Sequence, residues 1–221
     1  MRHFFNQELR VFNAMTAPID PAITREFEPL CRGGLNPTDY DVVKPSGRNW
    51  HSDIHWISAA TPETFRKFES AFERSGIPEL MAPYMDLEHE VRLYAGFVVV
   101  RSLCTEPYFH VDWKKLNNEA FTLLTPITDN AGDFGLLYKT YDGSEAEYRY
   151  TSGEAIVFGD HFKHSTKPGR SDEPVAMLCF EFGSDRMEHW DKVYDSMGTQ
   201  ARLHRKPDGE FIRADGSRIS Y

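Results

Sequence analysis

His110 and Asp112 stand two apart in Tyr108-Phe109-His110-Val111-Asp112-Trp113. On an extended segment side chains alternate in direction, so that spacing points an imidazole and a carboxylate to the same side. A second imidazole arriving from a distant strand completes three ligands on one face of a metal ion. Phe158-Gly159-Asp160-His161-Phe162-Lys163-His164-Ser165-Thr166 offers two such histidines, His161 and His164. Two imidazoles and one carboxylate, with the remaining coordination positions open, are the ligand set of non-haem Fe(II) oxygenase centres.

His51 and Asp53 repeat the His-x-Asp spacing in Trp50-His51-Ser52-Asp53-Ile54-His55-Trp56 and compete for the role. The residues after them read as helix. Thr61-Pro62-Glu63 supplies a cap, a first-turn proline and an acid at the positive end, and Phe65, Phe68 and Phe72 recur at helical spacing. A ligand pair running into a helix lacks the strand needed to build the far side of a barrel site, which favours His110 and Asp112. Glycine-rich phosphate loops, a GxSxG elbow and HExxH are absent, so those chemistries have no starting point.

The 221 residues, 40% of them hydrophobic, are enough for one substantial domain. A net charge of −9 argues against a general phosphate-binding surface, so a nucleic-acid partner is not expected. Cys31, Cys104 and Cys179 are isolated and form no CxxC, which argues against a disulfide scaffold or zinc ribbon and fits a reducing cytoplasm. No apolar run has the length of a signal peptide core or a membrane span.

Three stretches must position the ligands. Residues 1–90 read as a helical and loop prelude, with Asp20-Pro21 opening a short helix, Gly- and Pro-rich loop from Cys31 to Gly47, the Phe65 helix, and a second short helix between Pro78 and Leu87. Residues 91–183 are a series of short runs separated by breakers: 93–102, 119–128, 135–141, 147–150, 154–158, 163–166 and 175–182. Many short strands so spaced predict a mainly β fold with flanking helices, and a jelly-roll of the cupin-like kind better than an open sheet. Residues 184–221 predict a helix carrying Met187, Trp190, Val193 and Tyr194 on one face, then a small hairpin with turns at Pro207-Asp208-Gly209 and Ala214-Asp215-Gly216. The basic residues of this tail, among them Arg202, Arg205 and Lys206, read as a solvated face.

The stretch from 91 to 183 resembles the core of the 2-oxoglutarate/Fe(II)-dependent oxygenases. The resemblance rests on His110-Val111-Asp112, on Ala120-Phe121-Thr122-Leu123-Leu124-Thr125-Pro126-Ile127, and on Gly153-Glu154-Ala155-Ile156-Val157-Phe158 leading to His164-Ser165-Thr166. It implies a double-stranded β-helix, with His110, Asp112 and His164 as catalytic iron ligands and Fe(II) and 2-oxoglutarate as cofactors. In the family the distal histidine follows an apolar strand and precedes a small polar residue, which selects His164 over His161. A carboxylate at 112 implies hydroxylation, desaturation or a related oxidation rather than halogenation. Trp113 is expected as a pocket wall or as a core aromatic.

One departure from the family pattern bears on the cosubstrate. Family members place an Arg or Lys about ten residues after the distal histidine to pair with the far carboxylate of 2-oxoglutarate, and here that position is Pro174. Arg170 and Lys139 are the expected replacements, with Arg92 and Arg101 as further possibilities. The expected partner is a small-molecule, carrier-bound or peptide-bound substrate. Two other classes compete: a cupin-like metalloenzyme that does not use 2-oxoglutarate, which the missing cation would explain, and a non-catalytic β-barrel binding protein with incidental histidines.

Overall fold

The β-branched and aromatic run Val91–Cys104 pairs antiparallel with Gly169–Ser184, and this ribbon is the spine of the fold. The structure is a computed structural model describing residues 3–31, 39–45 and 53–216. In chain order the strands are β1 (Phe5–Asn6), β2 (Val11–Phe12), β3 (Ala14–Pro18), β4 (Tyr40–Val43), β5 (His55–Ala59), β6 (Val91–Cys104) and β7 (Ala120–Pro126). There follow β8 (Gly135–Lys139), β9 (Glu145–Arg149), β10 (Glu154–Phe158), β11 (His164–Thr166), β12 (Gly169–Ser184), β13 (Leu203–Arg205) and β14 (Phe211–Arg213). The helices are α1 (Pro21–Arg25), α2 (Glu28–Cys31), α3 (Pro62–Arg74), α4 (Ile77–Met81) and α5 (Met187–Ser196).

Among the described residues the strands form a major sheet in the order β3-β10-β7-β12-β6-β5-β4 and a minor sheet in the order β11-β8-β9. The major sheet reaches further back in the chain than the expected core of 91–183. β3, β4 and β5 lie in the stretch expected to be helix and loop, and each adds to this sheet. β12 likewise begins earlier than the expected run at 175. Its ladder with β6 breaks between Arg170 and Val175, where Pro174 cannot donate a backbone hydrogen bond.

Each face of the major sheet is covered. Even-numbered residues of β12 and odd-numbered residues of β7, such as Leu178, Phe180, Phe121 and Leu123, face the helices, as period-two alternation requires. There α3 lays down its Phe65, Phe68 and Phe72 stripe, with Phe72 4.9 Å from Phe182 between ring centroids. Thr61 caps α3 through Thr64 and Pro62 stands in its first turn, as the sequence predicts. Gly96 allows the helix to seat on β6, because a Cβ there would fall 2.5 Å from Phe68 Cβ. α5 stands at the end of the sheet, Trp190 against Tyr94, and the β13–β14 hairpin follows it. Within the basic tail, Arg205 pairs with Glu69, and Lys206 with Asp208 and Glu210. Among the described residues no helix is long and apolar enough to cross a membrane.

Candidate metal centre and the cavity around it

The opposite face of the major sheet looks across a cavity toward the minor sheet, and the three candidate ligands meet there. His164 opens β11. His110 is its cross-strand neighbour: each donates its backbone N–H to the carbonyl of the other at 2.9 Å. Paired residues of an antiparallel ladder send their side chains to the same face, and the two rings lie 4.4 Å apart between centroids. The segment around His110 and Asp112, expected as extended, is therefore a loop joined to the minor sheet at this bridge. Ser165 Oγ also accepts the Tyr108 backbone N–H at 2.7 Å, aligning the loop along β11.

Asp112 closes the triad from the same loop. Its Oδ1 is 3.4 Å from His110 Nε2 and 3.7 Å from His164 Nε2, so one ligand atom from each side chain lies within 4.8 Å of the others. The two imidazoles are turned by the same device. His110 Nδ1 lies 2.9 Å from the Tyr108 carbonyl and His164 Nδ1 3.1 Å from the Phe162 carbonyl. A proton on each Nδ1 satisfies those carbonyls and leaves both Nε2 lone pairs facing the common point. Asp112 Oδ2 accepts a hydrogen bond from Thr122 Oγ1 at 3.0 Å, and the same hydroxyl accepts one from Trp113 Nε1 at 2.9 Å. Thr122 belongs to β7, so the carboxylate is tied to the major sheet, while His164 belongs to the minor one and His110 is bridged to it from the loop. Trp113 itself is buried beside Tyr94, Leu116 and Trp190, a core aromatic rather than a pocket wall.

Charge in the triad is divided as a metal site needs. Burial alone would raise the Asp112 carboxyl, but the facing imidazoles and the His110 and Thr122 hydrogen bonds bring it down to about 2. Burial lowers His164, keeping it neutral and available as a ligand. For His110 burial is outweighed by Asp112 and the Tyr108 carbonyl, and its pKa is raised. Glu181, which also lines the cavity from β12, is pushed up to about 8 by burial and by the negative field of Asp112.

The rivals fall away from this centre. His161 is exposed, has a positive φ of 70° and packs edge-on against His3. His51 lies outside the described residues. Its companion Asp53 has another task, accepting the backbone N–H groups of Ser102 at 2.8 Å and Leu103 at 3.0 Å at the end of β6.

The expected replacements for the missing cation do not line the cavity. Arg170 is exposed in the irregular stretch of β12. Lys139 lies 3.2 Å from Glu145 and 4.8 Å above the Phe109 ring. Arg92 is paired with Glu90 at 2.7 Å. Arg101 does line the cavity, among Tyr150, Cys104 and Val175. In the β6–β12 ladder Arg101 is the direct partner of Val175, so its guanidinium starts one strand over from position 174, where a cation was missing. Burial lowers its pKa from the ordinary arginine value, an effect that leaves it charged at neutral pH. Apolar side chains, among them Trp56, Phe97, Val99, Leu124 and Met177, complete the walls.

No family model matches the chain, and no curated protein matches it in sequence. Solved structures do match. HygX from Streptomyces hygroscopicus with nickel, 2-oxoglutarate and hygromycin B bound is similar over 80% of this chain and 85% of its own, with TM-score 0.57 and 14% identity. The epimerase SnoN in complex with Fe3+, alpha ketoglutarate and nogalamycin RO matches over 78% of this chain and 79% of its own, with TM-score 0.56 and 14% identity. A Pseudomonas putida prolyl-4-hydroxylase matches over 78% and 92%, with TM-score 0.50 and 14% identity. The chain therefore has the jelly-roll fold of the 2-oxoglutarate/Fe(II)-dependent oxygenases, its two sheets facing each other across the cavity where His110, Asp112 and His164 converge.

Proposed function

We propose that the protein is a non-haem Fe(II) oxygenase that uses 2-oxoglutarate and dioxygen to oxidise a small-molecule, carrier-bound or peptide-bound substrate, with hydroxylation as the outcome. One observation carries the reading: three convergent metal ligands and a cavity-facing guanidinium share one apolar-walled cavity. His110, Asp112 and His164 would hold the metal, the single carboxylate offsetting half the charge of a divalent ion. Arg101 would pair with the far carboxylate of 2-oxoglutarate, a task for which the planar guanidinium fork is suited. When bound, Fe(II), 2-oxoglutarate and dioxygen supply oxidative decarboxylation to succinate and CO₂ together with the oxidising equivalents for a substrate C–H bond.

The chain's own part is positional and electrostatic. Thr122 holds Asp112 in its ligand orientation, the Tyr108 and Phe162 carbonyls fix the imidazole tautomers, and the apolar walls keep the site partly dry. Similar folds solved with hygromycin B, nogalamycin RO or a peptide fragment support a substrate of small-molecule or peptide kind. Cys31, Cys104 and Cys179 form no disulfide among the described residues, which fits work in a reducing cytoplasm.

The test is reconstitution of the purified protein with Fe(II), followed by succinate measurement in the presence of 2-oxoglutarate and air. Succinate release that depends on iron and is lost in His164→Ala is the expected result. Stoichiometric metal without succinate would replace this reading with a cupin-like metalloenzyme. Failure to bind metal would leave a binding protein.

A further inference from the structure

We infer that Glu181 and Gln200 form a recognition subsite for a substrate bearing a protonated amine. The inference rests on the cavity being the place where substrate is bound, as proposed above.

Glu181 faces the cavity from β12, where it is the cross-strand partner of Thr122. It is 5% exposed, and among the described residues it has neither a hydrogen-bond donor nor a cationic partner. Gln200 reaches the same cavity from the segment after α5, and its Oε1 is buried with no hydrogen-bond partner. This placement is built into the backbone. The Arg202 N–H donates to Ser58 Oγ at 3.2 Å on one side, and the Met197 N–H to the Val193 carbonyl at 3.0 Å on the other. Gly198 leaves the space that the Gln200 amide occupies, since a Cβ there would overlap it.

The buried Gln200 oxygen has no donor, and Glu181 on the same cavity has no cationic partner among the described residues, so a ligand that brings both N–H donors and a positive charge completes the pair. A buried acceptor left unmet keeps the desolvation cost of the group. An ammonium group offers three N–H donors and a positive charge, which answers a carboxyl group and an amide oxygen together. An anionic group at this end would lie in the negative field of Asp112 that Glu181 already feels. The cavity's guanidinium, Arg101, is launched beside Val175, whereas Glu181 lies further along β12, so the cavity has a basic end and an acidic end. The net charge of −9 adds a long-range preference for a cationic ligand.

The experiment is calorimetric titration of the metal-free full-length chain with matched probes: cyclohexylamine against cyclohexanol, benzylamine against benzyl alcohol, and 1,4-diaminobutane against 1,4-butanediol. At least one amine is expected to bind about tenfold more tightly than its alcohol. Glu181→Gln, an isosteric change, should remove that preference, and Gln200→Ala should reduce it. Alcohols binding as well as amines, no amine binding at all, or full amine preference retained in Glu181→Gln would each overturn the inference. Amine selectivity without succinate release would sink the oxygenase reading and leave this subsite standing, and the reverse result would do the opposite.

Discussion

His110 and His164 exchange both backbone hydrogen bonds at 2.9 Å, so two candidate ligands far apart in sequence are a single cross-strand pair. Their separation is set by ladder geometry rather than by side-chain contacts alone, and their Nε2 atoms converge on Asp112 Oδ1.

The pair and the carboxylate form one ligand set, and removing any member should remove the metal. His110→Ala, Asp112→Ala and His164→Ala are each expected to weaken Fe(II) binding by about 100-fold or more, whereas His161→Ala should leave it within about twofold. Metal content after dialysis against a chelator gradient checks this. Retention of iron in His164→Ala, or its loss in His161→Ala, would reverse the ligand assignment.

Thr122 orients Asp112 without being a ligand. Thr122→Val keeps the shape but leaves Asp112 Oδ2 and Trp113 Nε1 without their shared hydroxyl, and should cost about 10–100-fold in metal affinity. Thr122→Ser should restore most of it. Equal affinity in the Val and Ser variants would show that the hydroxyl does nothing for the metal.

Arg101 separates cosubstrate binding from metal binding. Arg101→Ala should raise the KM for 2-oxoglutarate at least tenfold while iron content stays unchanged, whereas Arg170→Ala and Lys139→Ala should alter neither by more than about twofold. Succinate kinetics at varied 2-oxoglutarate concentration decide between them, and a large KM effect at Arg170 or Lys139 would return the role to that residue.

Glu181 has a pH signature that can be read on the metal-free protein. Its pKa in the folded chain is about 8, above the ordinary carboxyl value of 4.5, so the native state holds a proton that the unfolded state has lost. Between those two values stability falls as pH rises. Glu181→Gln removes the dependence and is expected to stabilise the protein by roughly 1–3 kcal/mol at pH 8, with little effect near pH 4. Denaturant melts at the two pH values give the comparison, and an equal effect at both would rule out Glu181 as the cause.

Strong local signals were legible in the sequence. The Thr61-Pro62 cap and the Phe65, Phe68 and Phe72 stripe predict α3, and alternating runs between breakers predict the strands from β6 to β12. β3, β4 and β5 were not legible, because short strands near glycine- and proline-rich loop carry too few residues to show a period. The jelly-roll brings His110 and Asp112 together with His164; the shared side of the first two follows from their spacing, whereas His164 rather than His161 is what the family resemblance implies. Arg101 stands out from the other cations only through the ladder that sets it opposite Val175. Glu181 and Gln200 meet through tertiary packing alone, which no spacing rule reports.

The division of the triad between two sheets gives the metal a mechanical part. His164 is held in the minor sheet, Asp112 is anchored to the major sheet through Thr122, and His110 rides on the loop between them. An ion at their common point would act as a rivet through both layers, making the stiffness of the cavity mouth and the occupancy of the metal centre a single variable.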